Sequence, residues 1–428
     1  MSLRKSIVII SGMIAPKRQG NQSIRNTIEG FLAGGYRVRH FSFISDANPD
    51  YDFVSLQSHP NYSHTGAPHI LMRLIRGRSA AGKTSGATRG TGYRFPAPDS
   101  RLDLGLSEIT SRQILFARVY TVLEVVRVFW RGLFNRPDVL YGYEIYGAHA
   151  AYILGTLLRV PVVTRFQGTY VTAENWSHPP IQYHKRMLAL PVSLVVMAND
   201  GTKGDQVLRR LGVDSARVLF LPNGLDARMF SKTAYEGSEV ALYREEINPK
   251  RRHRILGIFN RYYPFKRIDR ALRILRNVLD AGGDYQLVIA SGGGPLEADL
   301  RHLADELELT DHVSWLGRVP FDRMGALYAS CDLVLLLNDY ANSGNQLYEA
   351  IIKAKPLLAI DDGNNSLMFG DCPYAHFFQP EEIGSIDADT IEALVRRGGT
   401  EYASSNIMTW SRRMEHEIEW IESKRTLR

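Results

Sequence analysis

RILGIFNRYYPFKRID, residues 254–269, opens on a short apolar run, breaks into a loop carrying Arg261 and Lys266, and leads into a helix predicted over 269–281. A strand, a loop and a helix in that order make the repeating unit of a parallel α/β sheet. The alternation continues downstream through 286–290, 297–307, 313–316, 322–330, 333–338, 345–354 and 356–360. Upstream, SIVIIS at 6–11, a helix over 22–33 and a strand over 37–44 start a first series. It resumes at 139–144, 148–159, 161–167, 193–198, 202–211 and 217–222. Between the two series, 226–252 is charged and irregular and reads as a hinge. The expected fold is therefore two doubly wound parallel-sheet domains facing across a cleft, with useful residues in the loops just after strands.

The chain has 428 residues, 44% of them hydrophobic and 23% charged, which supplies large packed cores and excludes wholesale disorder. Its two cysteines, Cys331 and Cys372, form no CxxC pair. This excludes a disulfide scaffold or a cysteine zinc site, and points to the reducing cytoplasm. No uncharged apolar run approaches the ~18–20 residues that cross a bilayer, and the opening residues read as a strand rather than a signal peptide. Positive charge is concentrated: residues 71–136 hold twelve Lys or Arg against four acids, whereas the whole chain carries +7. A diffusely basic nucleic-acid binder would not look like this, so no nucleic acid is expected. A local patch suits an anionic lipid or substrate.

LPNGLDARMF at 221–230 resembles the interdomain run of GT-B glycosyltransferases of family 4, the glycosyl transferases group 1. FNRYYPFKRID is similar to that family's Arg-x4-Lys signature at Arg261 and Lys266. ASGGGPLEADL resembles its Gly-rich turn around Gly293, and LGRVP its nucleotide-base loop at Arg318 and Val319. GNQLYEAIIKAKPLLAID resembles its ribose-binding helix, with Glu349 as the ribose ligand. Five motifs in order and at matching spacing are a specific signal. The resemblance is good over about 225–365, fair over 135–225 and weak before that.

The resemblance implies transfer of a sugar, with retention, from a nucleotide-sugar to a saccharide or lipid-linked acceptor. It implies a first, acceptor-side domain over 1–225 with a mobile insertion at about 46–110, and a final helix, 406–428, packing back on it. The donor domain covers 226–405. The chemistry stands beside the name. Departure of a nucleoside diphosphate leaves negative charge that Arg261 and Lys266, aimed from one loop, can stabilise. Gly344, Asn345 and Gln346 head a helix whose N–H groups and dipole favour an anion, and Glu349 can accept bonds from both ribose hydroxyls. Gly12 and Gly20 allow close backbone approach in the first loop. No metal and no cofactor are expected. Arg267 reads as a solvated or supporting neighbour of Lys266.

The chain departs from the family at three places. Ala341 stands where the first of two glutamates contacts the transferred sugar, leaving Asn342, Ser343 or Asn345 to supply a polar group. Tyr141-Gly142-Tyr143-Glu144 replaces His-x-His-Glu, and Gln167-Gly168 replaces His-Gly. Tyr143, Glu144 and Gln167 are the acceptor-side candidates, and the leaving phosphate serves as base. Two other readings compete: a catalytically silent sugar-nucleotide binder, and a P-loop NTPase using GRSAAGKT at 77–84. The second lacks the preceding strand and following helix its chemistry needs. Ile114, Leu115, Val119, Val122, Leu123, Val126 and Phe129 have helical spacing over 111–134. They read either as a core-facing stripe with an arginine edge, or as a membrane-surface helix with Phe129, Trp130 and Phe134 at an anionic interface on the inner face of the membrane.

Overall fold

β1 (Ser6–Ile10) shows how the sheets are built: Ile7 and Ile9 enter one apolar cluster, Val8 and Ile10 another, because successive strand residues face opposite sides. The computed structural model describes residues 5–12, 22–42, 56, 58–66, 92–101, 111–132, 135–230, 238–399 and 402–425. Contacts divide the chain into two units. Met1–Thr84, Asp103–Gly224 and Met408–Arg428 form the first; Ser85–Leu102 and Leu225–Ile407 form the second.

In the first unit β1, β2 (Arg37–Phe41), β3 (Tyr62–Thr65), β4 (Val139–Tyr143), β5 (Val162–Phe166), β6 (Leu194–Ala198) and β7 (Val218–Leu221) pair in parallel, in the order β3-β2-β1-β4-β5-β6-β7. Helices α1 (Gln22–Ala33), α2 (Ser111–Gly132), α3 (Glu144–Leu158), α4 (Pro179–Leu188) and α5 (Gly204–Arg210) belong to it. In the second unit β8 (Arg254–Phe259), β9 (Tyr285–Ala290), β10 (Val313–Gly317), β11 (Leu333–Leu336), β12 (Leu357–Ile360) and β13 (Ala375–Phe378) make a parallel sheet ordered β10-β9-β8-β11-β12-β13. Its helices are α6 (Ser238–Ile247), α7 (Ile268–Asp280), α8 (Glu297–Glu306), α9 (Phe321–Ser330), α10 (Asn345–Ile352), α11 (Asn365–Phe369) and α12 (Ala388–Arg397). The last helix, α13 (Trp410–Arg425), lies in the first unit, where Met414 and Ile421 join the cluster of α1 and β1.

Strand order reverses between β1 and β4 and between β8 and β11. Crossover connections leave to opposite faces at such a point, so the loops after those strands line a crevice. Of the residues picked out above, Gly12, Glu144, Arg261, Lys266 and Gly344 follow these four strands, while Gln167, Gly293 and Arg318 follow the neighbouring β5, β9 and β10.

Four expectations need correction. The hinge region contains α6, because Tyr243 and Ile247, four residues apart, bury themselves in the second unit's core. Helix α3 starts at Glu144 rather than 148. A Cβ on Gly147 would stand 1.8 Å from the Ile10 carbonyl oxygen, so glycine alone lets the helix begin hard against β1. Part of the insertion belongs to the second unit: residues 92–101 pack there, Tyr93 and Phe95 against its apolar core. Finally, α2 turns only part of its apolar stripe inward: Ile114, Leu123 and Phe129 pack against the first unit's core. Tyr120, Thr121, Glu124 and Val128 are buried, while Leu115, Val119, Val122, Val126 and Trp130 face solvent, Leu115 and Trp130 each 64% exposed. Gly20, the 77–84 segment and Phe134 lie outside the described residues.

Candidate functional site

In the second unit the loop after β8 is tied to the loop after β11 by side-chain amides. Asn260 Nδ2 donates to Asn338 Oδ1 (3.0 Å), Asn342 Nδ2 donates to the Asn338 carbonyl (2.8 Å), and Gln346 Nε2 donates to Asn260 Oδ1 (3.3 Å). The next turn is joined as well. The Asp339 N–H donates to the Phe265 carbonyl (3.0 Å), and the Phe265 ring stacks on Tyr340 with centroids 4.8 Å apart. These links bring Arg261 and Lys266 to the end of β11 and the head of α10. Arg261 is exposed, lies over the Tyr263 ring (5.0 Å to its centroid) and has no ion-pair partner among the described residues. Lys266 is half-buried over the Phe265 ring (4.9 Å).

Gly344 caps α10 in an extended conformation, and the peptide N–H groups of Asn345 and Gln346 head the helix, where a helix lacks internal acceptors. Glu349 follows one turn after Gln346 and is 8% exposed. Burial pushes its carboxyl up to about 7. The turn after β9 clasps the same loop: Tyr262 N–H donates to the Gly293 carbonyl (3.2 Å), and Leu296 N–H donates to the Tyr262 carbonyl (3.2 Å). A Cβ on Gly294 would sit 2.5 Å from the Tyr262 carbonyl oxygen, so this glycine serves backbone approach. Gly293, with φ +90°, has open space around it and remains free for a ligand. After β10, Arg318 is exposed and Val319 packs against the core beside Phe321.

Around Ala341 (φ 59°) the geometry narrows the alternatives. Asn342 and Ser343 are buried. Asp362 Oδ2 accepts from the Asn342 N–H (3.1 Å), and Ser343 Oγ donates to the same carboxylate (3.3 Å). Both therefore shape the loop, and Asn345, half-buried at the helix head, is the accessible one of the three. Arg267 is not solvated: it is 1% exposed and pairs with Asp269 (3.1 Å) and Asp339 (3.2 Å).

In the first unit Glu144 sits directly after β4 with φ 58°, a left-handed conformation that costs a side chain of order 1–3 kcal/mol and persists where the surroundings demand it. Its Oε1 accepts from the Gln167 N–H (2.6 Å), and burial pushes its carboxyl up to about 7. The Gln167 amide, oxygen toward Arg165, accepts from Arg165 Nε (3.0 Å) and the Tyr143 hydroxyl (2.8 Å) and donates to Asn223 Oδ1 (3.1 Å). Tyr143 is fully buried and also bonds the Ser23 hydroxyl, so it positions Gln167 rather than meeting a ligand. Asn223 of the LPNGLD run thus belongs to this network.

Beneath it lies a buried charge cluster. Arg165 donates to Thr27 Oγ1 (2.7 Å) and pairs with Glu417 on α13 (3.3 Å), and Glu417 also bonds Arg413 and the Tyr141 hydroxyl. Sequence reasoning missed it. The available signal was an arginine inside the apolar strand VVTRF, a position where a charge needs a partner. Asp387-Ala388-Asp389, which mimics an Asp-x-Asp metal clamp, is explained locally: Asp387 caps α12 by accepting from the Thr390 N–H (2.9 Å).

Residues 240–396 match the family described as glycosyl transferases group 1. The D-inositol 3-phosphate glycosyltransferase of Nocardia farcinica is 26% identical over 182 residues, 41% of this chain and 39% of that relative; the chain spans well under half the length of the curated relatives it matches. Among solved structures, sucrose-phosphate synthase from Thermosynechococcus elongatus superposes with a TM-score of 0.67 at 14% identity, covering 99% of this chain and all of that one. Anabaena HepE in complex with UDP and glucose superposes at 0.65 with 15% identity, over 98% of this chain and 100% of its own. At these identities the structural likeness establishes the fold, and it is GT-B.

Proposed function

We propose that this chain, with its GT-B fold and its glycosyl transferases group 1 region, is a retaining glycosyltransferase that moves a sugar from a nucleotide-sugar to a saccharide or lipid-linked acceptor. The observation that carries the reading is the joining of the Arg261–Lys266 loop to the head of α10 and Glu349 at the strand-order reversal. Glu349 accepts from the ribose hydroxyls, the α10 N–H groups and the two cations hold the diphosphate, and Arg318 and Val319 border the base. The acceptor hydroxyl attacks the anomeric carbon as the carbon–oxygen bond to the β-phosphate breaks, and its proton passes to the departing phosphate oxygen on the same face. Fixed side-chain charge supplies the stabilisation a metal would otherwise give. Glu144 and Gln167 present the acceptor side.

Incubation with UDP-, GDP- and ADP-sugars and candidate acceptors tests the proposal. Nucleoside diphosphate release with a product of unchanged anomeric configuration is expected. Inversion, or tight donor binding without turnover across the panel, overturns it, the latter in favour of the silent binder. Lys83→Ala is expected to leave turnover near that of the parent; abolished turnover would favour the P-loop reading.

The lipid-linked acceptor is supported by α2. At ~100° per residue, Leu115, Val119, Val122, Val126 and Trp130 fall within an arc of roughly 80°. Arg118 and Arg131 are exposed, and Glu124, the acid in this helix, is buried. No described helix is long and apolar enough to cross a membrane. Such a face suits an anionic bilayer surface at the cytoplasmic leaflet. Vesicle co-sedimentation should rise with anionic lipid content and fall several-fold on Val122→Ser with Trp130→Ser. Binding indifferent to lipid charge removes this part of the proposal.

A further inference from the structure

Residues 92–101 are the least expected feature of the second unit. They come from the sequence between β3 and α2, yet they lie across the carboxyl ends of the second sheet. One end is pinned at α8, where Asp299 Oδ1 accepts from the N–H groups of Gly92 (3.0 Å) and Tyr93 (3.3 Å). The middle reads FPAPDS. Prolines have a preset φ and no N–H, so this run offers carbonyl oxygens at low ordering cost and leaves few donors to satisfy.

Those oxygens meet two buried arginines. Arg267 donates to the carbonyls of Ala97 (3.0 Å) and Ser100 (2.5 Å); Arg270 donates to those of Pro98 (2.8 Å) and Ser100 (2.7 Å). Both guanidinium groups share Asp339, Arg267 at 3.2 Å and Arg270 at 2.8 Å. Without the strap two desolvated cations would keep unmet donors, a costly arrangement. The far end reaches back: Arg101 donates to the carbonyls of Asp339 (2.8 Å) and Asp361 (2.8 Å) and to Gln379 Oε1 (3.1 Å).

Asp339 thus stands at a junction. Its carboxylate holds Arg267 and Arg270, its N–H is bonded to Phe265, and its carbonyl is bonded to Arg101. Arg267 follows Lys266 directly, and Asp339 precedes the loop that leads to Gly344. From this geometry we infer that residues 92–101 are a positioning strap that sets the Lys266 turn and the 338–344 loop for the nucleotide-sugar, with Arg101 as its clasp. The inference rests on the proposed donor site and adds that a segment far away in sequence controls its precision. It makes Arg101, Arg267 and Arg270 positioning residues that act through Asp339.

The decisive variant is Arg101→Ala, because Arg101 is exposed and its removal uncovers carbonyl acceptors but leaves no buried charge without a partner. Donor KM is expected to rise about 3- to 10-fold, as two or three hydrogen bonds of modest net strength are lost. Acceptor KM and the unfolding midpoint should stay within error. Arg101→Lys should recover little, since an ammonium cannot reproduce the forked contacts. A merely structural role would instead lower kcat through a smaller folded fraction and leave donor KM alone. Amide hydrogen exchange of the same variant, which needs no turnover, should be faster over 261–267 and 338–344. Unchanged exchange there overturns the strap whatever the enzyme does, as does faster exchange with unaltered donor KM. Failure of the parent protein to turn over any donor would instead count against the proposed function.

Discussion

Replacing Lys266 by alanine is expected to lower kcat/KM for the nucleotide-sugar by on the order of 10²-fold or more, and Arg261→Ala by a similar factor. The charge that appears when the sugar–phosphate bond breaks must be met by groups already in place, since reorienting water in a half-buried site costs free energy at the moment of reaction. Lys266 is held by its turn: the Phe265 carbonyl accepts from Asp339, and Arg267 beyond it is locked by two carboxylates. Arg261 is exposed over Tyr263 and has no carboxylate partner among the described residues, which leaves its charge for an anion. Lys266→Arg should recover only part of the rate, because a planar guanidinium does not replace a compact ammonium. Steady-state kinetics on both alanine variants, with circular dichroism to verify folding, provide the check. Parental turnover in both would remove the site assignment.

Glu349→Gln is expected to weaken donor binding about 10-fold or more at pH 8, by replacing charge-assisted acceptors with a neutral one. Its pH behaviour is more telling. Burial raises the Glu349 carboxyl to about 7, so it is charged above neutrality and gains its proton as the pH falls through that region. Donor affinity in the parent protein should therefore be flat above about pH 8 and decline below 7 by up to about tenfold per unit, and Glu349→Gln should abolish that dependence. Stability should run the opposite way. A carboxyl whose folded-state value is raised destabilises the fold once the pH exceeds its unfolded value, and that cost is complete above about 7. The glutamine variant is thus expected to be more stable at pH 8, on the order of 1–3 kcal/mol, and no more stable at pH 4. Calorimetric titration with nucleoside diphosphate and thermal unfolding at the two pH values read both effects. Glu144 has a similarly raised carboxyl, but Glu144→Gln should leave the donor profile intact. A pH-independent donor affinity in the parent protein would contradict the role assigned to Glu349.

Much of the proposed donor site was legible in one dimension because its parts are local. Apolar runs such as LVIA and LVLL mark strands buried on both faces, loops follow them, and Arg261 and Lys266 occupy such a loop. Helix placement was less legible where close approach replaced periodicity. The early start of α3 depends on the space Gly147 leaves beside Ile10, and α6 lies in a stretch whose charge concealed Tyr243 and Ile247. The polar alternatives at 342 and 343 failed because the Asn342 side chain is bonded to the Asn338 carbonyl, while the Asn342 N–H and the Ser343 hydroxyl are held by Asp362, about twenty residues on.

The alternation of short apolar runs and helices, with their cations just after strands, was determined by the sequence alone, since strand and helix periods are local and loops after parallel strands must share one end of the sheet. Tertiary structure alone decided the rest. It showed which side of α2 meets solvent, paired Arg165 with Glu417, and laid the proline-containing strap over Arg267 and Arg270. Each of these depends on a partner tens to hundreds of positions away, and no local pattern states which distant group will satisfy a buried charge or leave an apolar stripe uncovered.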